Sequence, residues 1–182
     1  MLIDELLPEW EVGERHSTLV DAPQDEVYEA VCSFTARESP LFVVLMGVRA
    51  LPTILTSRPD LSVNRPLIEG LVDFGFVRLA ENAPHELVLG MAGRPWRLRA
   101  SLEKLDAGSL RSFDEPGYVK AVMNVATFRR GRRTKLVTET RVRAFGPWAR
   151  ARFDAYWALI GRPSAAIRRD WLKAIKRRAE NG

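Results

Sequence analysis

Residues 147–180 read PWARARFDAYWALIGRPSAAIRRDWLKAIKRRAE, the longest helix-period pattern in the chain. Phe153, Tyr156, Trp157, Ile160, Ile167, Trp171, Ala174 and Ile175 recur at steps of three and four, which places them on one stripe of a helix. Arg150, Arg152, Asp154, Arg168, Arg169, Asp170, Lys173, Lys176 and Arg177 fall mostly off that stripe. Gly146-Pro147 opens the pattern, with proline in the first turn, where its missing N–H costs little. Gly161-Arg162-Pro163 interrupts it, because an internal proline removes a backbone donor and clashes with the preceding turn. The expectation is one kinked helix or two helices in line, and the rest of the chain reads as the sheet and lids packed against it.

Working outward, Lys135 to Phe145 alternates Leu136, Thr138, Thr140 and Val142 with Val137, Glu139, Arg141 and Arg143, the period of a strand. Tyr118 to Phe128 does the same, with Ala121, Met123, Val125 and Thr127 on one side. Between them Arg129-Arg130-Gly131-Arg132-Arg133 reads as a solvated hairpin tip. Trp96 to Glu103 alternates as a half-buried strand, and Asp106-Ala107-Gly108 as a turn after it. Val77 to Leu79 and Glu86 to Met91 form the two arms of a hairpin turned at Glu81-Asn82-Ala83-Pro84. Glu14 to Val20 is the first strand, with His16, Thr18 and Val20 on one face; the residues before it read as a lead-in with a short helical turn. Helices start at Pro23, at Ser39-Pro40 and at Arg65-Pro66. The second of these, Leu41 to Leu55, is apolar nearly all the way round and must be buried, cover a cavity or meet a partner. Strands in a run, bounded by helices, make an α+β fold: a curved antiparallel sheet wrapped around the C-terminal helix, with extra helices after the first strand.

Composition narrows the classes of function. The 182 residues fit one domain, 1–182, with 46% hydrophobic and 28% charged residues, too apolar for disorder. Cys32 is the only cysteine, so no intramolecular disulfide and no cysteine-cluster metal site is available, which suits a reducing cytoplasm. Two histidines and one cysteine are too few for a Rieske centre or for a zinc site built on several such ligands. No cofactor and no metal are expected. The N-terminal stretch lacks the pattern of a signal peptide, and Leu41 to Val48, the longest apolar run, is too short to span a bilayer. A net charge of +5 permits contact with anions, but no helix-turn-helix or finger spacing marks a sequence-specific nucleic-acid binder. Neither G-x-G-x-x-G nor G-x-S-x-G nor a P-loop is present.

The Arg15-His16-Ser17 strand, the Ala22-Pro23-x-x-x-Val27-Tyr28 helix start, the strand Leu136-Val137-Thr138-Glu139-Thr140-Arg141-Val142 and the long terminal helix resemble the SRPBCC superfamily. This START-like, helix-grip group includes polyketide cyclases, plant hormone receptors and lipid carriers. The resemblance covers essentially the whole chain by order of elements, and it implies a cavity between the sheet and the last helix. The segment from Ser39 to Asp73 is longer than the link that such a fold has there. No motif of the chain matches a cyclase's acid or base positions.

The sheet face phased toward the last helix holds Leu, Val, Met, Trp and Ala with sparse polar spots, the composition of a small-molecule pocket. The residues expected to line it are His16, Thr18, Thr138 and Met123, with Met91, Trp96, Trp157 and Leu45 around them. His16 is the histidine placed to face the interior. As a general acid or base it needs a partner in hydrogen-bond reach, and Glu139, the carboxylate considered, alternates onto the outer face. The first reading is a binder or carrier of a small hydrophobic molecule, without catalytic residues. The second is a cyclase or dehydratase acting on a polyketide-like substrate through His16 or an interior threonine. The third is an interaction module, a homodimer through Leu41–Leu55 among its forms.

Overall fold

The computed structural model describes residues 1–45, 64–97 and 101–182. Helix α1 (Leu2–Leu6) leads into strand β1 (Val12–Val20) and helix α2 (Gln24–Ser33); a 3-10 turn at Ala36–Glu38 precedes a helix α3, described over 40–45. Helix α4 (Leu67–Asp73) is followed by β2 (Val77–Asn82), β3 (Glu86–Arg94), β4 (Ser101–Leu102), α5 (Ala107–Ser112), β5 (Val119–Arg130), β6 (Arg133–Ala144) and α6 (Pro147–Asn181). The strands pair antiparallel in the order β1-β6-β5-β3-β2, and β4 continues the β2 side of β3. The curved sheet packs against α6, the α+β helix-grip arrangement read from the sequence.

Local chemistry sets the long elements. The β5–β6 hairpin closes over Gly131-Arg132, with Arg130 opposite Arg133. Gly131 has φ +65°, and a glycine at the first central position is what a type II′ turn needs to match the strand twist. The arginines at this tip are exposed, as expected. Helix α6 starts at Pro147 and continues through Pro163 as one helix of 35 residues, rather than as two. Buried residues lie on both sides of the proline, Phe153 before it and Trp171, Leu172 and Ile175 after it, so packing holds the helix across the weak point.

Both faces of the sheet are covered. On the concave face Leu87, Leu89, Met123, Val125 and Leu136 form one core with α2, α4 and α6. On the convex face Ile3 and Leu7 of the α1 segment, and Leu110 and Phe113 of the α5 segment, bury Leu79, Val88 and Val122 in a second core. Burial from Glu86 to Gly90 and from Thr138 to Val142 is therefore continuous, not alternating. Gly90 permits the close approach of α5: a Cβ there would lie 2.5 Å from Leu79 Cδ1 and 3.0 Å from Leu110 Cδ2.

The structure corrects two expectations. Residues 95–97 form a turn and bend, so Trp96 is not in a strand; β4 is described over Ser101–Leu102, and 98–100 of the expected strand lie outside the described residues. Asp106-Ala107-Gly108 is no simple turn: the Asp106 carboxylate accepts a hydrogen bond from the Ser109 N–H at 2.7 Å and caps α5. Helix α3 begins where Ser39-Pro40 predicts, and most of Leu41–Leu55 lies outside the described residues. No described helix is long and apolar enough to cross a membrane.

Candidate functional site

Strand register lays the concave face out in rows. Glu14, Thr140, Met123 and Leu89 lie side by side across β1, β6, β5 and β3. The adjacent row is His16, Thr138, Val125 and Leu87. Thr18 lies one step further along β1, opposite Leu136. Over these rows α6 presents Ile167, Arg168, Trp171 and Ile175.

Arg168 is the unexpected member. Its side chain points inward and only 9% of the residue is exposed. One guanidinium nitrogen, Nη2, donates to Met123 Sδ at 3.0 Å, and the group lies 4.5 Å from the centre of the Trp171 ring. Nη1 is buried with no hydrogen-bond partner among the described residues, and so are Trp171 Nε1 and Thr140 Oγ1. Burial draws the Arg168 pKa down from the usual arginine range to about 10, against the opposing charge of Glu14, so the group is a cation at neutral pH. A buried polar group left unpaired is costly; a fourth, Glu139 Oε2 on the outer face, lies 3.6 Å from the Arg15 guanidinium, whereas the three on one row and the helix above it have apolar neighbours.

His16 faces the interior, half-buried, as expected. Its partner is Glu14, whose Oε1 lies 3.4 Å from His16 Nε2 and 3.4 Å from Ser164 Oγ. Glu139 is on the outer face, as alternation requires, yet it is buried there. Its Oε1 accepts from Arg141 Nε at 2.7 Å, and Arg141 also donates to Asp4 Oδ1 at 2.6 Å and to the Leu7 carbonyl at 3.2 Å. Burial disfavours the Arg141 cation, but the carboxylates of Glu139 and Asp4 outweigh it and raise its pKa. Beside it, Glu86 accepts from the Leu2 N–H at 2.7 Å and from Asn124 Nδ2 at 2.6 Å. This outer network fixes α1 to the back of the sheet.

The other predicted residues divide between two regions. Met123 and Thr138 are buried with Arg168 and His16, and Thr138 Oγ1 donates to the Asn124 carbonyl at 2.9 Å. Thr18 is half-buried at the same face. Met91, half-buried, sits opposite Ala121 toward the other end of the sheet. There Trp96 and Trp157 pack around Phe153 with Val119 and Val142, Trp157 stacking on Phe153 with ring centres 5.7 Å apart. Leu45 is half-buried at the end of the described part of α3.

Two residues escaped the sequence reading, although the signal was present. Glu14 is two residues before His16 and so shares its face. Arg168 precedes Trp171 by three and Leu172 by four, in the middle of the buried stripe; its charge set it among the solvated residues. The neighbouring Asp170 also has a structural task, accepting from Ser39 Oγ at 2.6 Å. Among the described residues no three His, Cys, Asp or Glu side chains gather where a metal ion could be held. An open groove of about 380 Å³ lies on the opposite side, between Met1, Glu5, His85, Glu86 and Phe128. Both oxygens of its Glu86 carboxylate are already engaged.

No protein-family model matches the chain, and no curated protein matches it. Among solved structures it is similar to TTHA0849 from Thermus thermophilus, at 10% identity and a TM-score of 0.35 over 92% of this chain and 97% of that one. It is also similar to the ZhuI aromatase/cyclase from Streptomyces sp. R1128, at 18% identity and 0.32 over 93% and 94%. A third is CalU16 from Micromonospora echinospora, at 12% identity and 0.30 over 94% and 96%.

Proposed function

We propose that this chain is an SRPBCC-like binder or carrier of a small hydrophobic molecule, held between the concave face of the sheet and α6. One observation carries the reading: among the described residues Arg168 Nη1, Trp171 Nε1 and Thr140 Oγ1 are buried without hydrogen-bond partners, beside a core that includes Leu89, Met123 and Ile167. Apolar walls with a few convergent polar groups are how small-molecule sites fix orientation. A solid core would have no use for donors that nothing accepts.

Titrating fatty acids, sterols and aromatic polyketides tests it. A true ligand changes tryptophan emission saturably and raises the melting temperature, since a native-only ligand at a hundred times its dissociation constant adds about 2.7 kcal/mol. Met123→Trp fills the interior and abolishes the response while the fold persists. If Met123→Trp unfolds the protein and no compound shifts melting, the interior is a solid core and the reading is wrong.

The Glu14–His16 contact favours a second reading, a cyclase- or dehydratase-type enzyme. A carboxylate beside an interior imidazole sets its tautomer and supports proton transfer. A turnover that His16→Ala eliminates while ligand affinity is retained would select this reading over the carrier.

A further inference from the structure

The three unpartnered atoms differ in one respect from an ordinary polar spot. Arg168 Nη1 and Trp171 Nε1 are donors with no capacity to accept, and the Thr140 hydroxyl can turn its proton the same way. Their complement is therefore an acceptor. The Arg168 charge feels that of Glu14 but forms no ion pair among the described residues. Glu14, the carboxylate in the same row, has Oε1 turned to His16 and Ser164 and makes no ion pair with Arg168 within 4.0 Å. Nη2 meets only the thioether of Met123, a weak acceptor. A buried guanidinium is stable only when paired and hydrogen-bonded, and a neutral carbonyl or hydroxyl would satisfy its geometry but not its charge.

We infer that the molecule bound here is an amphiphile with a carboxylate head group, received by Arg168, Trp171 and Thr140, its apolar body lying along the concave face. This rests on the binding reading above and names its ligand class. A carboxylate supplies two acceptor oxygens, matching the donors, and a single negative charge that the Arg168 cation can pair with directly. A phosphate dianion would bring a second charge into the row that Glu14 already occupies, which disfavours it.

The test compares matched pairs that differ only in the head: decanoate with decanol, and 2-naphthoate with 2-naphthalenemethanol. Each is titrated calorimetrically at neutral pH into wild-type protein, Arg168→Met, Arg168→Lys and Trp171→Phe. The expected result is acid over alcohol by about tenfold or more in wild type, the worth of one charge-assisted hydrogen bond. Arg168→Met removes that preference by weakening the acid alone, Arg168→Lys restores part of it, and Trp171→Phe weakens the acid less. If acid and alcohol bind equally and Arg168→Met leaves both unchanged, the head-group inference is overturned and the carrier reading stands. If no member of either pair binds, both fall. Should Arg168→Met fail to fold, the wild-type acid-to-alcohol ratio decides by itself.

Discussion

Replacing Arg168 with Met should stabilise the ligand-free protein. Drawing a guanidinium down from its usual range to about 10 corresponds to about 3 kcal/mol of disfavoured charge. Methionine has a similar stem and no polar atom to desolvate, so most of that cost disappears. Against it stand the loss of the guanidinium contact with the Trp171 ring, about 1 kcal/mol, and of the weak Nη2 bond to Met123 Sδ. The net expectation is a gain of about 1–3 kcal/mol, in the range found when buried charges give way to well-packed apolar residues. Urea unfolding followed by tryptophan emission measures it, as a midpoint raised by roughly 1 M with an unchanged slope. A loss of more than about 1 kcal/mol would mean that the native state satisfies the guanidinium without a ligand, and would refute this reasoning. The same variant should bind acids worse, so stability and binding move in opposite directions, as expected of a site strained for function.

Trp171 is 4% exposed and meets Phe34 and Phe42 edge-on at 6.1 and 5.6 Å, so Trp171→Ala should cost about 3–5 kcal/mol; a urea midpoint shift worth well under 1 kcal/mol would mean that the ring is not part of the core. Arg141→Met leaves the buried Glu139 with only the half-exposed Arg15 guanidinium, 3.6 Å from its Oε2, so the expected cost is about 3 kcal/mol, with faster amide exchange in α1. Unchanged α1 exchange would show that the outer network does not hold that helix. Burial works against the Glu38 carboxylate, but hydrogen bonds from Thr35 and the guanidinium of Arg178 outweigh it and hold its pKa below 4.5. Its contribution is complete above the unfolded value and is lost as pH falls through the folded one, so amide protection at residues 35–39, relative to the intrinsic exchange rate, should fall in acid before global unfolding; pH-independent protection there would contradict it.

The sequence was most legible where one face of an element meets the core and the other meets water: β1 was placed by alternation, and α6 by its stripe and Pro147. β5 and β6 were placed by alternation of residue type, although both of their faces are buried. Legibility failed where a local signal had two physical readings. Asp106-Ala107-Gly108 has turn composition, yet an aspartate before a short apolar stretch is equally a helix cap, and packing of Leu110 on Gly90 decided for the helix. Trp96 to Glu103 alternates well, but the alternation at Trp96 comes from packing on Trp148 in a turn. The cover on the outer face could not be read from strands whose polar residues, Glu86, Asn124, Glu139 and Arg141, looked solvated; they are buried because they bond to one another and to the α1 segment, with Glu139 Oε2 alone among them left without a hydrogen bond. Arg168 was missed for the same reason, its charge suggesting a solvated side chain.

Methyl NMR on protein labelled at the methionine methyl groups tests the central claim most directly, because Met123 and Met91 lie on the concave face while Met1 borders the outer groove. Under saturating decanoate or 2-naphthoate, the Met123 resonance should shift most and Met91 less, with Met1 unmoved, and the Met123 shift should vanish in Arg168→Met. A shift at Met1 with Met123 unmoved would place binding on the outer groove and contradict a ligand held between the sheet and α6.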